Sequence, residues 1–451
     1  MSNNLAVAKF GLVALPRAFA DPMLWLGAAI GFTPILAGLL FRTYNYHVAP
    51  NAAEILRQLD VPFIFVELAV IAWAHHAGMR FRSGYDHLDR RAQIAFFTFI
   101  GAFWLSSAFI SENPGYSMIR ASFWFVHIGF GMAVFHLVGV VTVEGLMRLG
   151  AGLCAGLLAF LPLMAIHLLN APEPATVAGG KIIWSSAIPG SLSIRHLGIW
   201  AGLVLSLAIG ALYVGQPGTT LLRLAYALIF VAVATLCWSG TRSSVYGVAG
   251  ALLLLPILRR EIPPRRAMVA ALVMAVLGVW VSTWGLPPDP SFGILGRDLA
   301  ASRGVEVFTT GRMVLWTSMM SAFAGSPLLG VGEGAVHWIA PDGDMHHVQP
   351  HNAIVQMLSS WGLIACAAGA YLLSRLMLLI YRLARRDSTM IPLALMMNCL
   401  LIMSLADGVL YFSRFIMWFA AGAAIALAVA ARDRKSSNLS LPPQARSTPA
   451  H

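Results

Sequence analysis

The residues best suited to chemistry in this chain gather in one polar segment, residues 310–362, which is set among intensely apolar sequence. Arg312 stands near its start, a glycine-rich turn follows, and the pair His351-Asn352 precedes a long hydrophobic run. A guanidinium group binds phosphate oxygens through paired hydrogen bonds. A neutral imidazole can accept the proton of an attacking hydroxyl. The segment is therefore where function is expected.

Two further arginines are expected at the same surface. Arg195 precedes a hydrophobic segment in the sequence SIRHL, and Arg242 lies in SGTRSS, a short connection between two others. A charge this close to lipid is costly unless it is solvated or paired. Arg312 also begins a predicted helix, whose free N–H groups attract anions. The three arginines predict a phosphate or diphosphate site; the alternative for each is interfacial anchoring or an internal salt bridge.

The histidines of the segment divide into two groups. His351 is expected at the mouth of a helix, level with the arginines, because Asn352 is a suitable N-cap for the hydrophobic run that follows. His337, His346 and His347 are expected to be solvated loop residues. Asp342 and Asp344 lie near the last two, so zinc stays open as an alternative, although no carboxylate has a standard ligand spacing. The prediction is that the protein holds no metal and no cofactor.

The elements that position these residues follow from composition. The chain is 58% hydrophobic and only 11% charged, which excludes a soluble domain. A helix needs about 20 apolar residues to cross a bilayer. The candidate spans are residues 23–41, 61–79, 93–111, 121–143, 149–170, 197–214, 219–238, 243–258, 267–285, 353–380, 391–410 and 412–431. These segments predict an all-α, polytopic transmembrane helix bundle of about 12 spans.

The distribution of basic residues gives an orientation. With the N-terminus inside, roughly two thirds of the 30 lysines and arginines fall in inner loops or the tail. The net charge of +11 is thus a topology signal and not a sign of nucleic-acid binding. The predicted divisions are residues 1–285 with spans one to nine, 286–352 as a large outer catalytic loop with short helices, 353–431 with spans ten to twelve, and 432–451 as a disordered inner tail.

Several short motifs in a fixed order carry a resemblance to a known family. They are G-R-x-x-x-W from Gly311 with Arg312, P-x-x-G-x-G with Gly330 and Gly332, H-N-x-x-x-Q with His351, Asn352 and Gln356, W-G-L-I from Trp361, and SGTRSS around Arg242. Their order and spacing resemble the O-antigen ligase and polymerase superfamily. The motifs cover about 120 residues, and the twelve-span layout with a late outer loop agrees over the rest.

The resemblance implies a glycosyltransferase of the bacterial inner membrane, most like lipopolysaccharide O-antigen ligase, with its site facing the periplasm. It implies an undecaprenyl-diphosphate-linked glycan as donor and a lipid A-core sugar as acceptor. Carried over by residue, Arg242 and Arg312 hold the diphosphate and His351 is the essential histidine. Arg195 matches a degenerate motif. Asn352, Gln356, Gly330 and Gly332 are the supporting residues.

This reading has rivals. An O-antigen polymerase shares the motifs, because they do not encode the acceptor; relatives that glycosylate proteins fit less well. A polytopic transporter is a different class and would place polar residues in mid-membrane. The candidates for such a path, Glu67, His136, His167 and Asp407, are few and form no obvious route. The expected reaction is a metal-independent transfer that inverts the anomeric centre.

Overall fold

A computed structural model describes residues 21–40, 60–81, 85–139, 141–169, 194–215, 219–258, 262–284, 312–339 and 349–439. Within these ranges the regular secondary structure is helical, with no strand. The all-α class is therefore confirmed. Most of the predicted loop 286–352 lies outside the described residues, including His346 and His347.

The helices are numbered along the chain. They are α1 (Pro22–Gly31), α2 (Thr33–Leu40), α3 (Val61–His76), α4 (Arg90–Leu105), α5 (Pro114–Val138), α6 (Val143–Leu169), α7 (Ile194–Ala211), α8 (Thr220–Ser239), α9 (Arg242–Leu258), α10 (Arg265–Ser282), α11 (Arg312–Gly325), α12 (Val336–Ile339), α13 (Ala353–Arg386), α14 (Ile391–Ser404) and α15 (Ser413–Leu439). A π-helical turn, Ser106–Ile110, extends α4, and a 3₁₀ turn, Val409–Tyr411, precedes α15.

The predicted spans coincide with helices. Within the described ranges, eight helices are long and apolar enough to cross a membrane, or nine if α1 and α2, bent by 46°, form one broken span. The other three predicted spans fall on shorter apolar helices. These are α3, α9, and α14 together with a 3₁₀ turn that precedes it, Ser388–Met390. The protein is thus a multi-pass membrane protein.

Three predicted boundaries need correction. The span expected at 121–143 begins at Pro114, because Asn113 caps the helix by accepting from the N–H of Tyr116 and proline suits the first turn. The span expected at 391–410 ends at Ser404, so Asp407 lies outside the helix. The last helix continues to Leu439, beyond the predicted end at residue 431 and into the predicted disordered tail.

Packing brings the helices of the polar segment against the main bundle. α7 packs on α9 and α14, α13 packs on α4, and α11 packs on α13. α5 packs between α3 and α15. The N-terminal ends of α7, α9, α11 and α13 carry, in that order, Arg195, Arg242, Arg312 and the pair His351-Asn352. Free N–H groups at a helix start carry partial positive charge, so this arrangement concentrates positive potential around those residues.

Candidate functional site

The start of α13 is fixed by Asn352. Its side-chain oxygen accepts from the N–H groups of Ile354 at 2.9 Å and Val355 at 3.1 Å, which confirms the predicted N-cap. Its Nδ2 donates to the carbonyl of Leu405 at 3.1 Å. Asn352 therefore ties the mouth of α13 to the loop between α14 and α15, residues 405–412, which we call the Asp407 loop.

His351 faces a carboxylate on that loop. Its Nδ1 lies 2.9 Å from Oδ1 of Asp407. Its backbone has φ of +56°, a conformation uncommon for a residue with a side chain, and its N–H donates to Oε1 of Gln349 at 2.7 Å. The His351 side chain is 20% exposed and that of Asp407 is 8% exposed. The imidazole is thus held in one orientation while part of it stays accessible.

The surroundings set the protonation of this pair. Burial lowers the pKa of His351, and the charges of Arg312 and Arg195 lower it further, against the opposing effect of Asp407. Burial alone would raise the pKa of Asp407, but His351, Arg195 and Arg312 hold it well below its usual range. At neutral pH the pair is an ionised carboxylate beside a neutral imidazole. Nδ1 also lies 2.9 Å from Nε2 of Gln349. Because a carboxylate only accepts, the tautomer that bonds Asp407 carries its proton on Nδ1, leaves the lone pair on Nε2, and makes no hydrogen bond with the Gln349 amide nitrogen.

The three predicted arginines are electrostatic neighbours. Burial lowers the pKa of Arg312, and the charges of Arg195 and Arg242 lower it further, while Asp407 raises it. Like charges held together raise each other's energy, so an anion between them would be stabilised. Nη1 of Arg312 donates to the carbonyl of Ala406 at 2.8 Å, which is a second tie to the Asp407 loop.

Helix α11 begins at Arg312, as predicted, and buries Leu315 and Met319. Both contact the small cluster that includes Val336. Nε1 of Trp316 donates to the carbonyl of Pro350 at 2.6 Å. This bond joins α11, which carries Arg312, to the residue next to His351, so the arginine and the histidine are positioned by one connected unit.

The glycine-rich turn, residues 326–334, fills a break in α13. At Gly362 the helix adopts φ of +69° and ψ of −179°, which interrupts its hydrogen-bond ladder. The carbonyls of Ser359 and Ser360 instead accept from the N–H groups of Val331 at 2.8 Å and Gly332 at 3.0 Å. Beyond the break, the N–H groups of Leu363 and Ile364 donate back to the carbonyls of Pro327 at 2.9 Å and Leu328 at 3.2 Å. The turn therefore replaces the backbone bonds that the break removes.

Gly330 is required at this contact. Its φ is +72°, and a Cβ added there would lie 2.6 Å from the carbonyl oxygen of Ser359. Gly332, with φ of +93°, faces Ser111 equally closely. These close contacts hold the turn, which follows α11, against the break in α13.

Some predicted residues have a different setting. His337 was expected to be solvated, but it is half-buried, with its ring 5.1 Å from that of Tyr116. Burial, aided by Arg120, lowers the pKa of His337 to about 4. Gln356 is buried in the first turn of α13, and its supporting role stays a prediction. In the part of the chain that the structure describes, no three His, Cys, Asp or Glu side chains form a metal-binding group.

The main omission of the sequence reasoning was Asp407, which was considered only as a possible polar residue of a transport path. The signal was present: Asp407-Gly408 is a turn dipeptide between two apolar segments. Gly408 leaves room for Gln349, since a Cβ there would lie 1.6 Å from Oε1 of that side chain. Nothing in the local sequence, however, pairs Asp407 with His351.

Comparison with known families follows this geometry. Residues 227–370 match the family model described as O-antigen ligase. This part of the chain is therefore similar to the O-antigen ligase family. The matched region contains Arg242, Arg312 and His351, while Arg195 and Asp407 lie outside it. The family is a group of membrane glycosyltransferase-like ligases and polymerases. No curated protein matches the chain.

Proposed function

We propose that this protein is an O-antigen ligase that transfers a glycan from undecaprenyl diphosphate to a sugar hydroxyl of lipid A-core. The observation that carries the proposal is the meeting of His351, oriented by Asp407, with the cluster of Arg195, Arg242 and Arg312. A neutral base beside a concentrated positive charge suits a reaction in which a hydroxyl attacks and a diphosphate leaves. The match of residues 227–370 to the O-antigen ligase family model supports the same substrate class.

In the proposed reaction the acceptor hydroxyl gives its proton to Nε2 of His351 as its oxygen attacks the anomeric carbon. The new bond joins that oxygen to the sugar, and the bond from the anomeric carbon to the diphosphate oxygen breaks. The electron pair of the broken bond leaves with undecaprenyl diphosphate. Direct displacement inverts the anomeric centre. The ionised Asp407 stabilises the imidazolium that forms.

The arginines bind the leaving group in this scheme. A guanidinium has five N–H donors in a planar fork, and within the described residues one from Arg312 is used by Ala406. Others can take oxygens of the diphosphate, where negative charge develops as the bond breaks. The N-termini of α7, α9 and α11 add partial positive charge in the same direction. No step of the scheme requires a metal or a nucleotide.

The site end of the bundle is proposed to face the periplasm of a bacterial inner membrane. Basic residues at the opposite helix ends support this orientation, among them Arg80, Arg148, Arg265, Arg385 and Arg432. Both lipid-borne substrates would then enter from the outer leaflet. Cysteines placed in loop 286–352 should react with a membrane-impermeant thiol reagent in intact cells. Labelling of the 259–266 connection instead would reverse the orientation.

A purified-enzyme assay tests the function. Lipid-linked glycan is supplied with and without lipid A-core acceptor, and transfer to the acceptor is the expected result. Lengthening of the lipid-linked glycan without acceptor would identify a polymerase. Arg312→Ala should lower kcat/KM for the donor by about 10- to 100-fold, the range of a hydrogen bond to a charged group. Arg312→Lys should recover only part of the loss, because an ammonium lacks the planar fork.

The transporter alternative loses support from the described residues. Glu67 pairs with His127, whose Nδ1 lies 2.7 Å from Oε2, and Asp407 pairs with His351. Nε2 of His136 lies 3.3 Å from the carbonyl of Ala77. Each of these candidate groups is thus bound to a local partner, which is His127, His351 or the backbone of Ala77. The side chain of His167 lies outside the described residues.

A further inference from the structure

Arg120 on α5 is a buried charge that the proposed reaction does not use. Its side chain is 6% exposed. Its Nη2 donates to the carbonyl of Tyr411 at 3.2 Å, and its guanidinium lies over the Tyr411 ring, 4.1 Å from the centroid. Within the described part of the chain, its Nε has no hydrogen-bond partner. Among the residues that the structure describes, no carboxylate lies within ion-pair distance of it.

Burying a guanidinium in this way adds less stability than an apolar side chain could. Removing it from water costs several kcal/mol, which the carbonyl and ring of Tyr411 and the charges of Glu333 and Asp60 have to offset. An apolar side chain of similar length would fill the same volume without that cost. The position of Arg120 is therefore better explained by its contacts with two neighbouring segments, the Asp407 loop and the glycine-rich turn, than by the stability that it adds.

What it holds on one side is the Asp407 loop. The near end of that loop receives Asn352 at the Leu405 carbonyl, Arg312 at the Ala406 carbonyl and His351 at the Asp407 carboxylate. Arg120 binds the far end, at the Tyr411 carbonyl. Of these four anchors, only Arg120 comes from a helix outside the polar segment. The ring of His196 on α7 also contacts the loop, 4.5 Å from the ring of Phe412, but Arg120 is the one that binds its backbone from α5.

On its other side Arg120 meets the glycine-rich turn. A Cβ added at Gly334 would lie 3.4 Å from Cγ of Arg120, so the turn passes directly beside the side chain. Next to it, Glu333 is buried and accepts from Nε1 of Trp361 at 2.5 Å. Burial raises the pKa of Glu333, and the charge of Arg120 opposes that shift. The hydroxyl of Ser117, on α5, donates to the carbonyl of Glu333 at 2.8 Å. The turn and the Asp407 loop therefore share one support on α5.

We propose that Arg120 is a positioning residue that holds the Asp407 loop so that Asp407 meets His351. It acts through the backbone and ring of Tyr411 and touches no substrate. The inference rests on the proposed function for its kinetic consequences, but its geometric consequence, the contact of Asp407 with His351, can be measured without turnover.

The test uses Arg120→Met, which keeps length and removes charge, and Arg120→Lys, which keeps charge. The control is Arg375→Met, since Arg375 pairs with Asp89 on an exposed surface, away from the described site residues. The pKa of His351 is read from the pH dependence of its modification by diethyl pyrocarbonate, quantified by mass spectrometry of the peptide that contains it. The charged groups that act on this imidazole are Asp407, Arg312 and Arg195.

The sign of the shift separates positioning from charge. If Asp407 withdraws, His351 loses the interaction that raises its pKa, so the pKa falls. Loss of a positive charge by itself would instead raise the pKa of a nearby histidine. We expect Arg120→Met to lower the pKa of His351, as Asp407→Asn does, and to lower kcat on the order of 10- to 100-fold with the donor KM unchanged. Combining it with Asp407→Asn should add little.

Other outcomes overturn the proposal. A His351 pKa that is unchanged or higher in a folded Arg120→Met protein would show that Asp407 stays in place. Additive losses in the double variant would show the same. If Arg120→Met does not fold, Arg120→Lys decides: it lacks the planar stack on Tyr411, so a wild-type His351 pKa and kcat in it would exclude a positioning role. A wild-type protein without ligase activity would remove the proposed function and leave the pKa measurement standing.

Discussion

Two ionic clusters at the arginine-bearing helix ends contain the same residue types but differ in enclosure. In the first cluster, the side chain of Asp60 is 1% exposed and that of Arg414 is 7% exposed. Nε of Arg414 donates to both carboxylate oxygens of Asp60, at 3.1 and 3.2 Å. Nδ1 of His196 lies 3.2 Å from Nη1 of Arg414. In the second, His351 is 20% exposed beside Asp407. The residues Arg195 and His196 are adjacent in sequence, so α7 takes part in both clusters.

The difference lies in what each cluster leaves for a ligand. The Asp60–Arg414 pair joins the starts of α3 and α15, with the guanidinium packed over the Phe63 ring at 5.0 Å, so its charges are matched and closed off. In the other cluster, arginines repel each other around a partly open imidazole. A buried, matched ion pair contributes to the folding of the protein. A partly open cluster of like charges suits the binding of an anion. Arginine content alone does not distinguish them.

The largest expected effect is a loss of kcat, and it is expected in the cluster of His351 and not in that of Asp60 and Arg414. His351→Ala should reduce kcat by about 10²–10⁴-fold, the usual contribution of a positioned acid–base group. Donor binding should persist, because the diphosphate is assigned to the arginines. Steady-state kinetics together with a donor-binding assay measures both quantities.

His196→Ala, in the sealed cluster, is the matched control and should retain most of the activity per folded molecule. His346→Ala and His347→Ala should be milder than His351→Ala. Normal turnover in the His351 variant, or a defect confined to donor binding, would exclude its role as base.

The second effect separates the clusters by stability. Asp60→Asn leaves Arg414 buried without its counter-ion, and breaking a buried pair in this way costs about 3–5 kcal/mol of the free energy of unfolding. Thermal unfolding of the purified protein in detergent should show a clearly lower Tm. The kcat of the molecules that remain folded should change little. A variant that keeps its Tm but loses activity would place Asp60 in the open cluster instead.

The third effect is a pH shift from Asp407→Asn. His351 must be neutral to accept a proton, so activity falls as pH drops through its pKa. Asp407 raises that pKa, whereas burial and the arginines lower it. Removing the carboxylate therefore moves the acid limb of the kcat profile to lower pH. The plateau should fall about 100-fold, because the proton on Nδ1 is no longer fixed. An acid limb that moves to higher pH would contradict the pairing.

Much of the fold and part of the site were predictable from the sequence. Runs of apolar residues locate the helices, because length and hydropathy decide membrane insertion. Asn352 and Arg312 were placed correctly because capping and helix starts are local properties. The pairs His351–Asp407, Arg414–Asp60 and Arg120–Tyr411 were not predicted, since each joins helices far apart in the chain.

The break in α13 illustrates the same limit. Gly362 stands within a run that reads as an uninterrupted span, and its positive φ depends on the turn at residues 326–334 packing against it. The sequence predicts a glycine-rich turn at these residues, but not that its N–H groups donate to the carbonyls of a broken helix. A hydrogen bond that crosses between distant segments leaves no periodic signal in the sequence.

The smallest effect tests whether this backbone support is specific to the open cluster. Gly330→Ala would force a Cβ to within 2.6 Å of the Ser359 carbonyl at φ of +72°, so the turn must shift away from α13. The strain is about 1–3 kcal/mol, and kcat should fall with it because α11 and Arg312 are carried by the same unit. Gly325→Ala is the matched control: it ends α11 with nothing within 4 Å of the added Cβ. Thermal unfolding and steady-state kinetics on both variants distinguish the cases. Equal losses of Tm and kcat in the two variants would mean that the turn does not support the site. A loss in Gly330→Ala alone would mean that the break in α13 helps to hold the open cluster in place.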